Sequence, residues 1–122
     1  MTDSLSTGKK LGIFNLGLTG DEIFLIASGD GGEVTIYNMD RNIHSTSTKH
    51  TKWVYGLAVH PSLPLAATAS YDKTIRLWDL NSGLNTLTLF GFDNELYTLA
   101  FSPDRKKLIV GQVNGVVKTI SF

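Results

Sequence analysis

The stretch LAATASYDKTIRLWDL, residues 65–80, decides the fold of this chain. Two runs rich in β-forming residues, LAATAS and TIRLWDL, flank a short turn at residues 71–73, and this pattern predicts an antiparallel hairpin. Imperfect copies of the stretch occur twice more, as LIASGDGGEVTIYNM at 25–39 and LIVGQVNGVVKTISF at 108–122. The chain is therefore predicted to be built from repeats.

The repeats have a regular period. Val34, Ile75 and Val117 occupy equivalent positions, 41 and 42 residues apart. Each hairpin is also preceded by another apolar strand, and these strands are IFNLGLT at 13–19, VYGLAVH at 54–60 and LYTLAFS at 96–102. A period of about 40 to 45 residues made of short strands is typical of the blades of a β-propeller.

The period divides the chain into three units within one domain, residues 1–122. The unit boundaries follow the strand landmarks and fall at 8–48, 49–90 and 91–122. The segment TDSLST, residues 2–7, precedes the first unit in the way that IHSTST precedes the second, and it is a candidate outer strand.

Composition excludes several classes of function. Eleven Lys and Arg balance eleven Asp and Glu among 122 residues, so no general field attracts nucleic acid or an anionic membrane. Cysteine is absent, which excludes a disulfide framework and any thiolate metal site. The N-terminus lacks a secretory pattern, and no apolar run approaches the roughly 20 residues of a membrane span. We expect an intracellular protein, cytoplasmic or nuclear, that binds neither nucleic acid nor membrane.

The middle unit carries a family resemblance. His50, the strand VYGLAVHP, Asp72 and the Trp78-Asp79 pair together resemble the WD-repeat β-propeller family, and the resemblance extends over essentially the whole chain. It implies an all-β fold of propeller blades, in which each fourth strand comes from the segment that opens the next repeat.

Three repeats are fewer than the about 4 to 8 blades that close a propeller, so a partial, open propeller is expected. The terminal blades of such a propeller expose apolar faces, and another protein surface is needed to bury them. The chain is then either a portion of a longer propeller or part of a ring completed by another chain or by self-association.

The resemblance also implies a structural tetrad of His50, Ser70 (or Thr68), Asp72 and Trp78. A buried Asp on a tight turn needs donors, and we expect Asp72 to be the acceptor shared by the imidazole and the indole. The other units carry different residues at these positions, namely Lys9 and Tyr37-Asn38 in the first, and Phe92, Gln112, Asn114 and Ile120 in the third. Apolar packing is expected to hold the third unit.

Three patterns suggest chemistry, and each has a structural explanation. Ser, His and Asp in the tetrad could be mistaken for a catalytic triad, but they fall within the sheet and its turn, without a nucleophile elbow. GDGG at 29–32 is followed by neither a helix nor the Lys-Ser/Thr of a phosphate loop, which favours a hairpin turn. His44, His50 and His60 are too scattered for a zinc site. We expect no catalytic residue, no cofactor and no metal.

The family's usual role predicts a noncatalytic scaffold or adaptor within a multi-subunit complex, binding a protein partner or a peptide segment of one. Two alternatives remain open: an enzyme whose site lies in other blades, and a substrate receptor of a ubiquitin ligase. The receptor branch carries a basic residue two places after the Trp-Asp pair, whereas here Leu80 and Asn81 follow that pair.

One end of the blades is the predicted binding surface. The apolar pattern Val54, Leu57, Val59 breaks strand alternation once, which predicts a bulge that turns Tyr55 towards a rim. Family geometry puts Tyr71 at the same end, and matching positions complete a set of Trp53, Tyr55, Tyr71, Phe14, Tyr97, Asp30 and Glu95. Aromatic side chains with a few charges are enriched in interface hot spots. The alternative is that these rings pack only between blades.

Overall fold

A computed structural model of the protein describes residues 12–121. These residues form eleven β-strands, and the described part of the chain contains no helix. The strands are β1 (Ile13–Leu18), β2 (Phe24–Gly29), β3 (Val34–Asn38), β4 (Ile43–Ser47), β5 (Val54–Val59), β6 (Leu65–Ser70), β7 (Ile75–Asp79), β8 (Leu84–Leu89), β9 (Leu96–Phe101), β10 (Lys107–Gln112) and β11 (Val117–Ser121).

The strands form three antiparallel sheets, in which each strand pairs with its neighbours along the chain. Blade one consists of β1 to β4, blade two of β5 to β8, and blade three of β9 to β11. The predicted hairpin is β6 and β7, with Leu65 opposite Asp79. Each predicted unit contains one sheet, and the fold is the predicted all-β set of propeller blades. The candidate strand at residues 2–7 lies outside the described residues.

The first strand of each blade contains an irregularity at the same place. In β5 the pairing register shifts between Val54 and Gly56, which leaves Tyr55 as an extra residue. The same shift occurs in β1 around Phe14 and in the β9–β10 pair around Tyr97. A bulge re-aims the extra side chain, so three aromatic residues leave the regular alternation at one end of the blades.

Two separate apolar cores join the blades. Ile26 and Ile36 of blade one pack with Ala66 and Trp78 of blade two. On its other face, blade two packs against blade three in a second cluster that contains Ala67, Ala69, Ile75, Leu77, Leu96, Leu99, Leu108 and Val110. Blade two is thus covered on both faces, and burial of these aliphatic side chains is the main term that holds the arc together.

The two flanking blades each expose one face. Leu16 lies opposite Ala27, on the side of blade one that faces away from blade two, and is 63% exposed. Val117 lies opposite Gly111 on the outward side of blade three and is 66% exposed. Leu18 is exposed on the same side as Leu16. Residues 12–121 therefore form an open arc of three blades with apolar side chains on both terminal faces.

Candidate protein-interaction site

Asp72 lies on the turn between β6 and β7 and accepts hydrogen bonds at both carboxylate oxygens. His50 Nδ1 donates to Oδ2 at 2.9 Å, and the backbone N–H of Thr51 donates to the same oxygen at 3.0 Å. Thr74 donates to Oδ1 through its hydroxyl at 2.6 Å and its backbone N–H at 3.0 Å. Burial disfavours the charged form, but the hydrogen bonds from His50 and Thr74 outweigh it and hold the pKa of Asp72 well below its ordinary value.

The hydroxyl of Thr68 connects His50 to Trp78. Trp78 Nε1 donates to Thr68 Oγ1 at 2.8 Å, and this oxygen lies 2.7 Å from His50 Nε2. In the tautomer whose Nδ1 donates to Asp72, Nε2 accepts the proton of the threonine hydroxyl. Asp72 was expected to be the acceptor shared by the two rings, but the group they share is the Thr68 hydroxyl.

Ser70, which was predicted to belong to the tetrad with Thr68 as the alternative, makes a different set of contacts. Its hydroxyl lies 2.8 Å from the carbonyl oxygen of Trp53 and 3.0 Å from that of Lys52, and it accepts the N–H of Asp72 at 3.1 Å. Thr68, given as the alternative, therefore occupies the position between imidazole and indole. Ser70 instead fixes the main chain that carries Trp53, and it is fully buried, so it is not an accessible nucleophile.

The equivalent positions of blade three carry other contacts. Ile120 packs against the core shared with blade two, in agreement with the apolar packing that was expected there. Gln112 is buried and donates to Asp93 at 3.3 Å, whereas Asn114 lies on an exposed turn and accepts the N–H of Val116. Lys9, the counterpart of His50 in the first unit, lies outside the described residues.

Tyr55 is the centre of an aromatic cluster. Its ring stacks on Phe14, with 4.6 Å between centroids and 12° between planes. The centroids of Tyr71, Tyr97 and Trp53 lie 4.8, 5.2 and 6.0 Å from that of Tyr55. These separations are those of favourable aromatic pairs. We call these five residues, which come from all three blades, the aromatic face.

The aromatic face is exposed and separate from the cores between the blades. Trp53 is 47% exposed and Tyr97 is 53% exposed, and Phe14 is exposed as well. Neither apolar core contains any of the five rings. Contacts such as Phe14 on Tyr55 and Tyr55 on Tyr97 do cross from blade to blade, so the rings also link the blades at this edge.

The two predicted acidic residues accompany the rings. Asp30 lines a cavity of about 380 Å³ together with Trp53 and Tyr71. Burial raises the pKa of the Tyr71 phenol, and the neighbouring phenols of Tyr55 and Tyr97 and the carboxylate of Glu95 raise it further. The seven residues predicted from sequence therefore meet at one edge of the arc, where binding stays a prediction.

A second cavity, which the sequence did not suggest, lies at the opposite end of blades one and two. Its volume is about 490 Å³, and its lining includes Asp21 and His60. Both groups already have partners in their own loops. Thr19 donates its hydroxyl to Asp21 at 2.6 Å, and His60 Nδ1 accepts the N–H of Leu63 at 3.0 Å. Because loop hydrogen bonds already engage Asp21 and His60, this cavity is the weaker candidate site.

From Gly12 to Ser121, no three His, Asp or Glu side chains gather in a way that could hold a metal ion. No helix capable of spanning a membrane occurs within the same residues.

Comparison with known proteins gives one family match and matches to segments of longer curated proteins. The family described as WD domain, G-beta repeat matches residues 41–79. Coronin-7 of Rattus norvegicus is 42% identical over 72 residues, which are 58% of this chain and 8% of that protein. Periodic tryptophan protein 2 of Arabidopsis thaliana is 35% identical over 68 residues, or 56% of this chain and 8% of that protein.

A third relative is shorter. The WD repeat-containing protein SL1-17 of Schistosoma mansoni is 38% identical over 72 residues, which are 59% of this chain and 24% of that protein. The chain thus spans less than a quarter of the length of each of these three curated relatives.

Proposed function

We propose that this chain, of which residues 41–79 match the family described as WD domain, G-beta repeat, is a noncatalytic protein-interaction module of the WD-repeat type that docks a partner protein on the aromatic face. The observation that carries the proposal is the cluster itself. Five rings from three blades contact one another around Tyr55, and three of them are exposed. Aromatic side chains of this kind dominate the energy of protein interfaces.

The backbone beneath the aromatic face is held rigidly, which suits recognition. The carbonyl of Trp53 accepts the N–H of Tyr71 at 2.9 Å and the hydroxyl of Ser70 at 2.8 Å. The N–H of Thr51 is held by Asp72 at 3.0 Å. A surface that is already ordered loses little conformational entropy when it binds, and this favours affinity.

The open faces of the arc extend the proposal to assembly. Leu16 and Leu18 on blade one and Val117 on blade three are apolar side chains on faces that blades normally cover with a neighbour. We therefore place the chain in a larger assembly, in which further blades of the same protein, another chain or a second copy pack on these faces. In that setting it serves as a scaffold or adaptor inside the cell.

Affinity enrichment from the native cell extract, quantified against single variants, tests the docking site. Trp53→Ala and Tyr97→Ala remove exposed rings, and we expect specific partners to be depleted about tenfold or more, as for interface hot spots. Leu84→Ala is the matched control, because Leu84 is an exposed apolar residue at the opposite end of blade two. If the folded ring variants keep all partners at the level of the control, the aromatic face is not the docking site.

A further inference from the structure

The cavity of about 380 Å³ beside the aromatic face combines aromatic rings with a carboxylate. Trp53 and Tyr71 form its aromatic walls, with 5.7 Å between ring centroids and 46° between ring planes. Asp30 and Gly31 of blade one and the loop residues Thr51 and Lys52 complete the lining. The cavity therefore lies at the junction of two blades, open to solvent next to exposed rings.

Asp30 is incompletely paired at this place. Its Oδ1 is buried and has no hydrogen-bond partner within residues 12–121. Lys52, which also lines the cavity, forms no ion pair with Asp30 in the described structure. A buried carboxylate oxygen without a donor is unfavourable, and the terminal torsion of an Asp side chain turns easily. A donor that entered the cavity would satisfy it.

The surroundings favour a positive donor. Trp53 and Tyr71 line the cavity, and the electron-rich faces of aromatic rings attract cations within about 6 Å of the ring centre. Glu95 adds a second negative charge close to Tyr71, and together with burial and the neighbouring phenols it opposes formation of a phenolate there. Charge and ring chemistry thus select the same kind of ligand.

We propose that this cavity binds a cationic side chain of the partner protein, with a guanidinium preferred over an ammonium. A planar guanidinium stacks on Trp53 or Tyr71 and offers two parallel N–H donors to the carboxylate of Asp30. The aliphatic stem of an arginine lies along the remaining ring surface. This inference rests on the proposed function, since it names the chemistry recognised beside the aromatic face.

The chain contains two tryptophans, which makes the cavity directly observable. Trp53 lines it, whereas Trp78 is 1% exposed inside blade two. We would titrate acetyl-arginine amide into the ¹⁵N-labelled protein and follow the two indole N–H resonances. We expect the Trp53 resonance to shift with saturation while the Trp78 resonance stays in place and reports an intact fold. Acetyl-citrulline amide, the neutral isostere, should produce no saturable shift.

Three variants assign the interaction. Asp30→Asn should weaken arginine amide binding about tenfold or more, because a charged hydrogen-bond partner is lost. Asp40→Asn makes the same charge change on an exposed turn at the opposite end of blade one and should leave binding unchanged. Lys52→Ala removes from the cavity lining a positive charge that repels the cationic ligand, and it should strengthen binding about threefold.

Three results would overturn the inference. Equal binding of arginine and citrulline amides would show that the cavity does not distinguish a charged side chain from a neutral one. Equal effects of Asp30→Asn and Asp40→Asn would show that the Asp30 carboxylate does not bind the ligand. Saturable binding of acetyl-glutamate amide that Lys52→Ala abolishes would assign the cavity to acidic ligands. None of these touches the docking proposal, which fails only if Trp53→Ala and Tyr97→Ala leave partner enrichment unchanged.

Discussion

Thr68 is the residue on which the polar network of blade two depends. Its single hydroxyl accepts from the Trp78 indole and donates to His50 Nε2, and all three side chains are buried. Asp72 accepts a hydrogen bond from Nδ1 of the same imidazole rather than from the Thr68 hydroxyl. Loss of Thr68 therefore leaves two buried polar groups without partners at once.

We expect Thr68→Val, which preserves the side-chain shape, to lower the free energy of unfolding by about 3 kcal/mol, since each stranded buried group costs about 1 to 3 kcal/mol. Urea denaturation followed by fluorescence measures the change. Thr98→Val, at an exposed position of β9, is the control and should have little effect. A Thr68 variant as stable as this control would show that the hydroxyl bridge contributes nothing.

The carboxylate of Asp72 makes stability depend on pH. Its pKa is lower in the folded protein, because the hydrogen bonds to the ionised form outweigh burial, so the folded state favours the charged form. The resulting stabilisation is present above the unfolded pKa of about 4 and is lost as the pH falls from there through the folded pKa.

The stability advantage of the wild type over Asp72→Asn should therefore be constant near neutral pH and shrink progressively below about pH 4. Denaturant midpoints of both proteins from neutral pH downwards measure it. Asn114→Asp, on the exposed equivalent turn of blade three, is a comparison that should show a smaller dependence. An advantage that does not change with acidification would contradict the role of the Asp72 carboxylate.

At the scale of the strands, the glycine after the β5 bulge sets how closely blades two and three approach each other. Gly56 follows the bulged Tyr55, and a Cβ atom at Gly56 would lie 2.8 Å from the Ala69 Cβ and 3.2 Å from the Leu99 Cβ. Blade three therefore approaches β5 closely only because this position has no side chain. The same approach brings Tyr97 alongside Tyr55.

Gly56→Ala should destabilise the protein by about 2 kcal/mol, because overpacking displaces the backbones of two blades. Gly20→Ala is the control, since the nearest atom to a Cβ there is a carbonyl oxygen at 3.9 Å. Thermal unfolding of both variants measures the difference. Equal melting temperatures would mean that the blades can separate at no cost, and the tight interblade contact would be wrong.

The strands were predictable because their signals are local, whereas the site details depend on distances between loops and blades. The β-forming residues of LAATAS and TIRLWDL on either side of a turn predict the β6–β7 hairpin, and the broken pattern of VYGLAVH predicts the bulge at Tyr55. Thr68 and Ser70 are two residues apart on one face of β6, so the sequence left both open. The position of the His50 loop along β6 decides which of these two hydroxyls the imidazole contacts. The Asp30 cavity forms only where blade one meets blade two.

At the scale of the whole molecule, the open arc predicts association. Its terminal faces carry exposed apolar side chains, and covering them removes apolar surface from water. Two copies joined face to face would supply six blades, within the range that closes a propeller.

Sedimentation of the isolated chain should therefore give a mass well above the 13.3 kDa of one copy. Replacing Leu16 and Leu18 by Glu should shift the mass towards that of one copy, because charge opposes burial of this face. Leu84→Glu, which lies elsewhere on the surface, should not shift it. A soluble unmodified chain that sediments as a single copy would show that the open faces need no cover.

The central position of blade two sets a hierarchy of local opening. Blade two carries the His50 network and has a neighbour on each side, so its amide protons should exchange with solvent most slowly, and those of the flanking strands should exchange first. The N–H of Thr51, bonded to Asp72, ties the loop of Trp53 to this slow unit. A partner would thus first meet a preordered ring at Trp53. By contacting Phe14 of blade one and Tyr97 of blade three as well, the partner would slow amide hydrogen exchange in the outer blades and link all three blades.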